Sequence, residues 1–431
     1  MIEMKIVGFF YALYTIFIFL IISITSLEFW NIFPSILLMW LIFSFFVLGG
    51  TAKKREYKEK KEFKVISWLA CQPNYIFLFL IIISILFSFL VVRFYTGQTF
   101  LTVINNLKNG ISNYAQYQKH FSENQISEFS ISKLPFIFMM AFVKFNLFYG
   151  SFSLVLNSDK TQKMKFIKIL YLISGAFSYL YIGIARGTNF EMFEFVVLII
   201  ALIFLKNRTQ KINLKKLLFM SIIIFMSVLI FIEVISQRGG SRVITYYISR
   251  DVSYNPDSVV ARYFPRLVIL LISVYDYFGF GFFYGAVFLN SVVFTSLSNF
   301  LIYLLPFFPK IFNKLSSSEQ MRNLIDIGTK WNPDQYVFIA NFGIICLFIV
   351  TFILGIIMRH QRQRFNGVIL TSDMLINFLI LLQMISFPIG NFIMVSSSSK
   401  IIIFGLILYK IYQNIFKKKQ FTKLIERNSI N

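Results

Sequence analysis

The chain has 431 residues, of which 57% are hydrophobic and only 14% charged, with 55 phenylalanines, a mean hydropathy of +0.71 and a formal charge of +23. Such a composition excludes a soluble globular domain and indicates an integral membrane protein. The charge does not indicate nucleic acid, because most lysines fall in short loops between apolar runs, where they act as a topology signal. Two cysteines far apart, Cys71 and Cys346, exclude a disulfide framework and a thiolate metal site.

Apolar runs long enough to cross a hydrocarbon core fall near 5–26, 30–50, 72–94, 135–156, 167–185, 191–205, 217–236, 335–357, 368–389 and 400–416. The first has no small-residue cleavage site after it and reads as a retained helix. The stretch 264–309 is apolar and aromatic and carries no basic residue between Arg266 and Lys310. Two further crossings, a re-entrant hairpin or an interfacial cap would each suit it. All three leave both termini on one side. The expected fold is therefore all-α and polytopic, with about 10–12 transmembrane helices in a single membrane domain over 1–431.

Orientation follows from the loops. With a cytoplasmic N-terminus, 51–64, 157–168, 206–216, 359–364 and the tail from Lys410 lie inside, and with Lys5 they hold 26 of the 42 basic residues. The inside set is 20 Lys and 6 Arg, whereas the rest is 8 Lys and 8 Arg. Topology has no reason to prefer arginine outside, but phosphate recognition does, because a guanidinium grips phosphate bidentately.

Two external segments result. In 96–133, Ile104, Leu107, Ile111 and Tyr114 recur at steps of three and four, which predicts an amphipathic helix at the membrane interface. The larger, 238–334, is a loop or re-entrant region after the seventh helix. Its polar parts flank the aromatic stretch SVYDYFGFGFFYG. Arg238, Arg242, Arg250, Arg262 and Arg266 follow directly on the seventh span, and a cluster on the side where basic residues are normally depleted points to an anionic ligand.

Arg186 ends the fifth span in IARGTNF; Gly187 permits a tight turn, Asn189 can cap the next helix and Glu191 suits its positive end. Arg186 either snorkels to the headgroups or joins the later arginines around one anionic group. SQRGGSR repeats the Arg-Gly step at the seventh span, where paired glycines allow a backbone anion nest beside Arg238 and Arg242 or simply end the helix. Arg262 and Arg266 are four apart, on one helical face. Of the outer carboxylates Glu233, Asp251, Asp257, Asp276, Glu319, Asp326 and Asp334, Glu233 lies about a turn inside a span and Asp276 sits in apolar VYDYF. Either suits a general base or a structural partner of an arginine. Lys144, inside the fourth span, raises the same question with the opposite charge. The histidines, His120 and His360, are too few and too separated for a metal cluster or Ser-His chemistry. No Walker, Rossmann or paired-acid DxD signature occurs, so no metal and no cofactor is expected.

In size, span number, Phe and Ile content, the Arg-Gly turn IARGTNF, SQRGGSR opening a large external loop, and the late segment NPDQYVFIANFGIICLF, the chain resembles the bacterial O-antigen or oligosaccharide repeat-unit polymerases of the Wzy type. The resemblance implies an inner-membrane glycosyltransferase working on undecaprenyl-diphosphate-linked oligosaccharides at the periplasmic face, with a chain-length regulator as a protein partner. For that reaction we expect Arg186, Arg242, Arg250, Arg262 and Arg266 to bind the substrate diphosphate and Arg238, with Asp276 or Glu233 as base, to serve the reacting centre. Tyr246, Tyr247, Tyr275 and Tyr277 either stack on sugars or belong to an aromatic belt. A flippase or polysaccharide exporter, or an O-antigen ligase, is the alternative reading.

Overall fold

The computed structural model describes residues 2–51, 64–108, 113–124, 130–156, 166–188, 190–206, 333–363, 368–390 and 396–416, with short pieces at 247–249, 252–253, 255–264, 268, 271–272, 281–283 and 285. The described part is all-α apart from two small two-stranded ladders. Its helices are α1 (Ile2–Ile22), α2 (Phe29–Thr51), α3 (Asn74–Thr96), α4 (Phe100–Lys108), α5 (Asn113–Glu123), α6 (Leu134–Val155), α7 (Phe166–Arg186) and α8 (Phe190–Lys206). After them come α9 (Val259–Tyr263), α10 (Asp334–Phe342), α11 (Ile344–Gln363), α12 (Thr371–Ser386) and α13 (Ser397–Phe416). Six are long and apolar enough to cross a membrane: those over Glu3–Ile22, Phe29–Thr51, Asn74–Thr96, Ile131–Val155, Phe166–Arg186 and Ile344–Gln361. The chain is accordingly a multi-pass membrane protein by the length and composition of its helices.

Three sequence expectations change. The run 335–357 is not one helix but two, α10 and α11, separated at Gly343, whose φ of 81° only glycine adopts without strain. The run 368–389 begins as a strand, and α12 has only 16 residues; at 1.5 Å per residue it falls short of a hydrocarbon core. The interfacial helix expected in 96–133 is two helices, α4 carrying Ile104 and Leu107 and α5 carrying Tyr114. Ile111, the seventh run at 217–236 and nearly all of 264–309 lie outside the described residues.

Relative directions follow from ring contacts. Phe77 meets Tyr171 and Phe89 meets Tyr181, so α3 and α7 run the same way, whereas α6 opposes α3 through Phe87–Phe142 and Phe94–Phe136. α2 and α11 also run together: Phe45 stacks on Phe348 with centroids 4.7 Å apart, and Gly49 and Gly355 bring the backbones into contact further along. Small residues at such a crossing are what membrane helices need to pack closely. The parallel ladder of β1 (Lys64–Ile66) with β4 (Val368–Leu370) ties the approaches to α3 and α12 together. α12 is buried along nearly its whole length, between α1, α6, α8, α11 and α13.

Candidate functional site

α7 ends in a Schellman turn: Thr188 N donates to Gly183 O at 2.9 Å and Gly187 N to Ile184 O at 3.0 Å, with Gly187 at φ 59°. The turn fixes Arg186 at the helix end and returns the chain so that Glu191, in the first turn of α8, faces it. Arg186 Nη1 lies 2.9 Å from Glu191 Oε1, and Thr188 Oγ1 donates to Glu191 Oε2 at 2.7 Å. The guanidinium carbon stands 5.3 Å from the Tyr117 ring centroid and 6.0 Å from that of Tyr95, within cation–π range. Its Nε is buried without a hydrogen-bond partner among the described residues. Arg186 is therefore held by a carboxylate and two tyrosines.

α5 packs over the ends of α3 and α7 because amides hold it there. Asn106 Nδ2 donates to Asn113 Oδ1 at 2.9 Å and Gln116 Oε1 at 2.8 Å, and lies 3.3 Å from Gln98 Oε1. Asn113 Nδ2 reaches Ile184 O at 3.4 Å, and His120 Nε2 lies 3.1 Å from Phe94 O. A Cβ at Gly187 would stand 2.7 Å from the backbone N of Tyr114. Gly187→Ala is thus expected to strain the turn and push α5 off Arg186, at a cost above the roughly 1 kcal/mol of the left-handed conformation alone. Faster proteolysis within 100–124 in the variant would register it, and an unchanged rate would refute it.

Deeper, the question raised by Lys144 is answered by a partner the sequence reading did not name. Lys144 Nζ lies 2.6 Å from Glu194 Oε1 and donates to Ser399 Oγ at 2.7 Å, over the rings of Phe148 and Phe190. Tyr179 OH donates to Glu194 Oε2. Lys144 and Glu194 are 1% and 0% exposed, so this pair is removed from solvent. Glu191 and Glu194, three apart on α8, link the Arg186 pair to the Lys144 pair through one helix.

A third cluster brings α10, α12 and α13 together. Gln383 Nε2 donates to the fully buried Asp334, whose charge attracts Lys400, and Gln335 N donates to Phe387 O at 3.2 Å. Near the start of α12, Lys410 Nζ lies 2.5 Å from buried Asp373 Oδ1.

Arg262 sits elsewhere, on α9, with Nη2 3.3 Å from Asp257 Oδ1 and both side chains largely exposed. Among the described residues Arg186 and Arg262 share no partner, so the structure does not join them around one ligand. Arg238, Arg242, Arg250, Arg266, Glu233 and Asp276 lie outside the described residues, as do Asp251, Glu319, Asp326, Tyr246, Tyr275 and Tyr277 and the side chain of Tyr247. Sequence reasoning missed Glu194, Tyr179, Ser399, Gln383 and Lys400. The one available signal was Glu191 and Glu194 at helical spacing inside an apolar run that already had an unpaired Lys144 to answer. Among the described residues no group of three His, Cys, Asp or Glu could hold a metal ion.

No family model matches this chain, and neither a curated protein nor a solved structure matches it.

Proposed function

We propose that the chain is an inner-membrane polymerase that joins undecaprenyl-diphosphate-linked oligosaccharide repeat units into an O-antigen or capsule-type polysaccharide at the periplasmic face, with both termini cytoplasmic. The observation that carries this reading is Arg186: a guanidinium fixed at a helix end by Glu191, flanked by Tyr95 and Tyr117, with one N–H unspent. A cation at that position suits a diphosphate, and tyrosine faces suit sugar rings. In the reaction, a hydroxyl of the acceptor sugar attacks the anomeric carbon of the donor and the lipid diphosphate leaves. Arg186, with Arg238, Arg242, Arg250 and Arg266, stabilises the charge that develops on it. Asp276 or Glu233 is the base on the sequence reading. A chain-length regulator is the expected protein partner.

The test is a glycolipid gel of a deletion strain complemented with wild type, Arg186→Ala, Arg238→Ala and the cytoplasmic-loop control Arg208→Ala. Deletion should collapse the ladder to a single capped repeat, restored by wild type and Arg208→Ala but by neither of the other two at equal protein level. A ladder that survives deletion removes the reading. Full chain length with Arg238→Lys would remove bidentate phosphate binding at that position.

One observation favours a second reading. The buried pairs Lys144–Glu194 and Asp373–Lys410, with Asp334 and Gln383, put ionisable groups inside the helix bundle, where transporters for charged substrates keep theirs. A flippase or exporter would leave repeat units at the cytoplasmic face after deletion, which the same strain distinguishes by lipid extraction. A ligase would instead leave long chains on undecaprenyl.

A further inference from the structure

The segment Pro-Asp-Gln-Tyr at 333–336 carries the polar start of α10 into the bundle. Asp334 and Gln335 are both fully buried there. Gln383, from α12, donates to Asp334 through Nε2 while its Oε1 has no hydrogen-bond partner among the described residues. Among the described residues neither Oε1 nor Nε2 of Gln335 makes a hydrogen bond of normal geometry, although the Tyr336 hydroxyl lies beside it. Buried amide atoms left unpaired are costly and rare, and each asks for an occupant. Among the described residues the unspent groups are Gln383 Oε1, on the amide that touches the Asp334 carboxylate, and both amide atoms of Gln335, the next residue of α10; together they are a donor and two acceptors of the kind a sugar hydroxyl uses.

We infer that Asp334, Gln335 and Gln383 form the subsite for the attacking hydroxyl of the acceptor sugar, with Asp334 as the base that takes its proton. The inference rests on the polymerase reading and moves the base from Asp276 or Glu233 to Asp334. The hydroxyl proton passes to an Asp334 carboxylate oxygen while the hydroxyl oxygen bonds to the donor anomeric carbon. The bond from that carbon to the diphosphate oxygen breaks, and its electron pair leaves with the lipid diphosphate. Gln335 and Gln383 orient the hydroxyl. Lys400, which attracts Asp334, balances the carboxylate charge in this setting.

The experiment uses the full chain in membranes of the deletion strain, with radiolabelled lipid-linked repeat units extracted from that strain as the probe. Gln335→Leu removes two unbonded amide atoms and no side-chain hydrogen bond of normal geometry. It should leave the melting temperature unchanged or raised, while KM for the repeat unit rises about tenfold for one lost hydrogen-bonding pair. Asp334→Asn keeps an acceptor for Gln383 and should lower kcat by about 10²–10⁴-fold, as loss of a general base does, with KM nearly unchanged. An unchanged KM in Gln335→Leu, or wild-type kcat in Asp334→Asn, overturns the subsite; if Asp334→Asn fails to accumulate, Gln335→Leu decides alone. A ladder that survives deletion of the whole protein rejects the polymerase reading. A ladder lost on deletion but kept by Asp334→Asn rejects this inference only.

Discussion

Lys144→Met is expected to cost about 3–5 kcal/mol of stability, because it leaves the Glu194 carboxylate buried without its cation. The surroundings offer that charge little else: Tyr179 donates one hydrogen bond, and the neighbouring Phe148 and Phe190 are apolar. Water cannot make up the difference where both side chains are at most 1% exposed. Glu194→Leu should do the same to the ammonium, which would keep Ser399 and the faces of Phe148 and Phe190. The double variant Lys144→Met with Glu194→Leu should recover most of the loss, since an apolar pair of similar volume pays no desolvation. Thermal unfolding of the purified protein in detergent, compared across the three variants, reads this directly. Single variants that melt within a degree of wild type would mean that the pair is hydrated and not a buried ion pair.

Gly355→Leu is expected to separate α2 from α11. A Cβ at 355 would stand 2.2 Å from the carbonyl oxygen of Phe46, and one at Gly49 would stand 2.0 Å from that of Phe352. The obstacle is main chain on both sides, so no rotamer change relieves it, and the cost should reach or pass the upper end of the roughly 1–3 kcal/mol typical of overpacking. Gly405, on α13, has nothing within 4 Å of its would-be Cβ. Gly405→Leu should therefore be tolerated and serves as the control. Cysteine pairs placed at 45 and 348, where the rings stack, should crosslink in wild type and in the Gly405 variant but not in Gly355→Leu. Equal crosslinking in all three would show that the helices are not held by this close approach.

What the sequence determined by itself was the membrane class, the positions of most of the described apolar helices and the tight turn at Gly187. These are local properties: twenty apolar residues can satisfy their backbone in lipid only as a helix, and a glycine after the last turn permits the left-handed stop seen at Gly187. The breaks were harder to read. Gly343 divides a run whose hydropathy is continuous, and the shortness of α12 is hidden because apolar β4 directly precedes it. Only the tertiary structure decided the partners. Lys144 and Glu194 are 50 residues apart, Lys144 and Ser399 are 255 apart, and Gln383 reaches Asp334 across 49. No period in the chain encodes such distances. They are selected because a charge buried in a low-dielectric bundle must find its counter-charge wherever helix packing brings one.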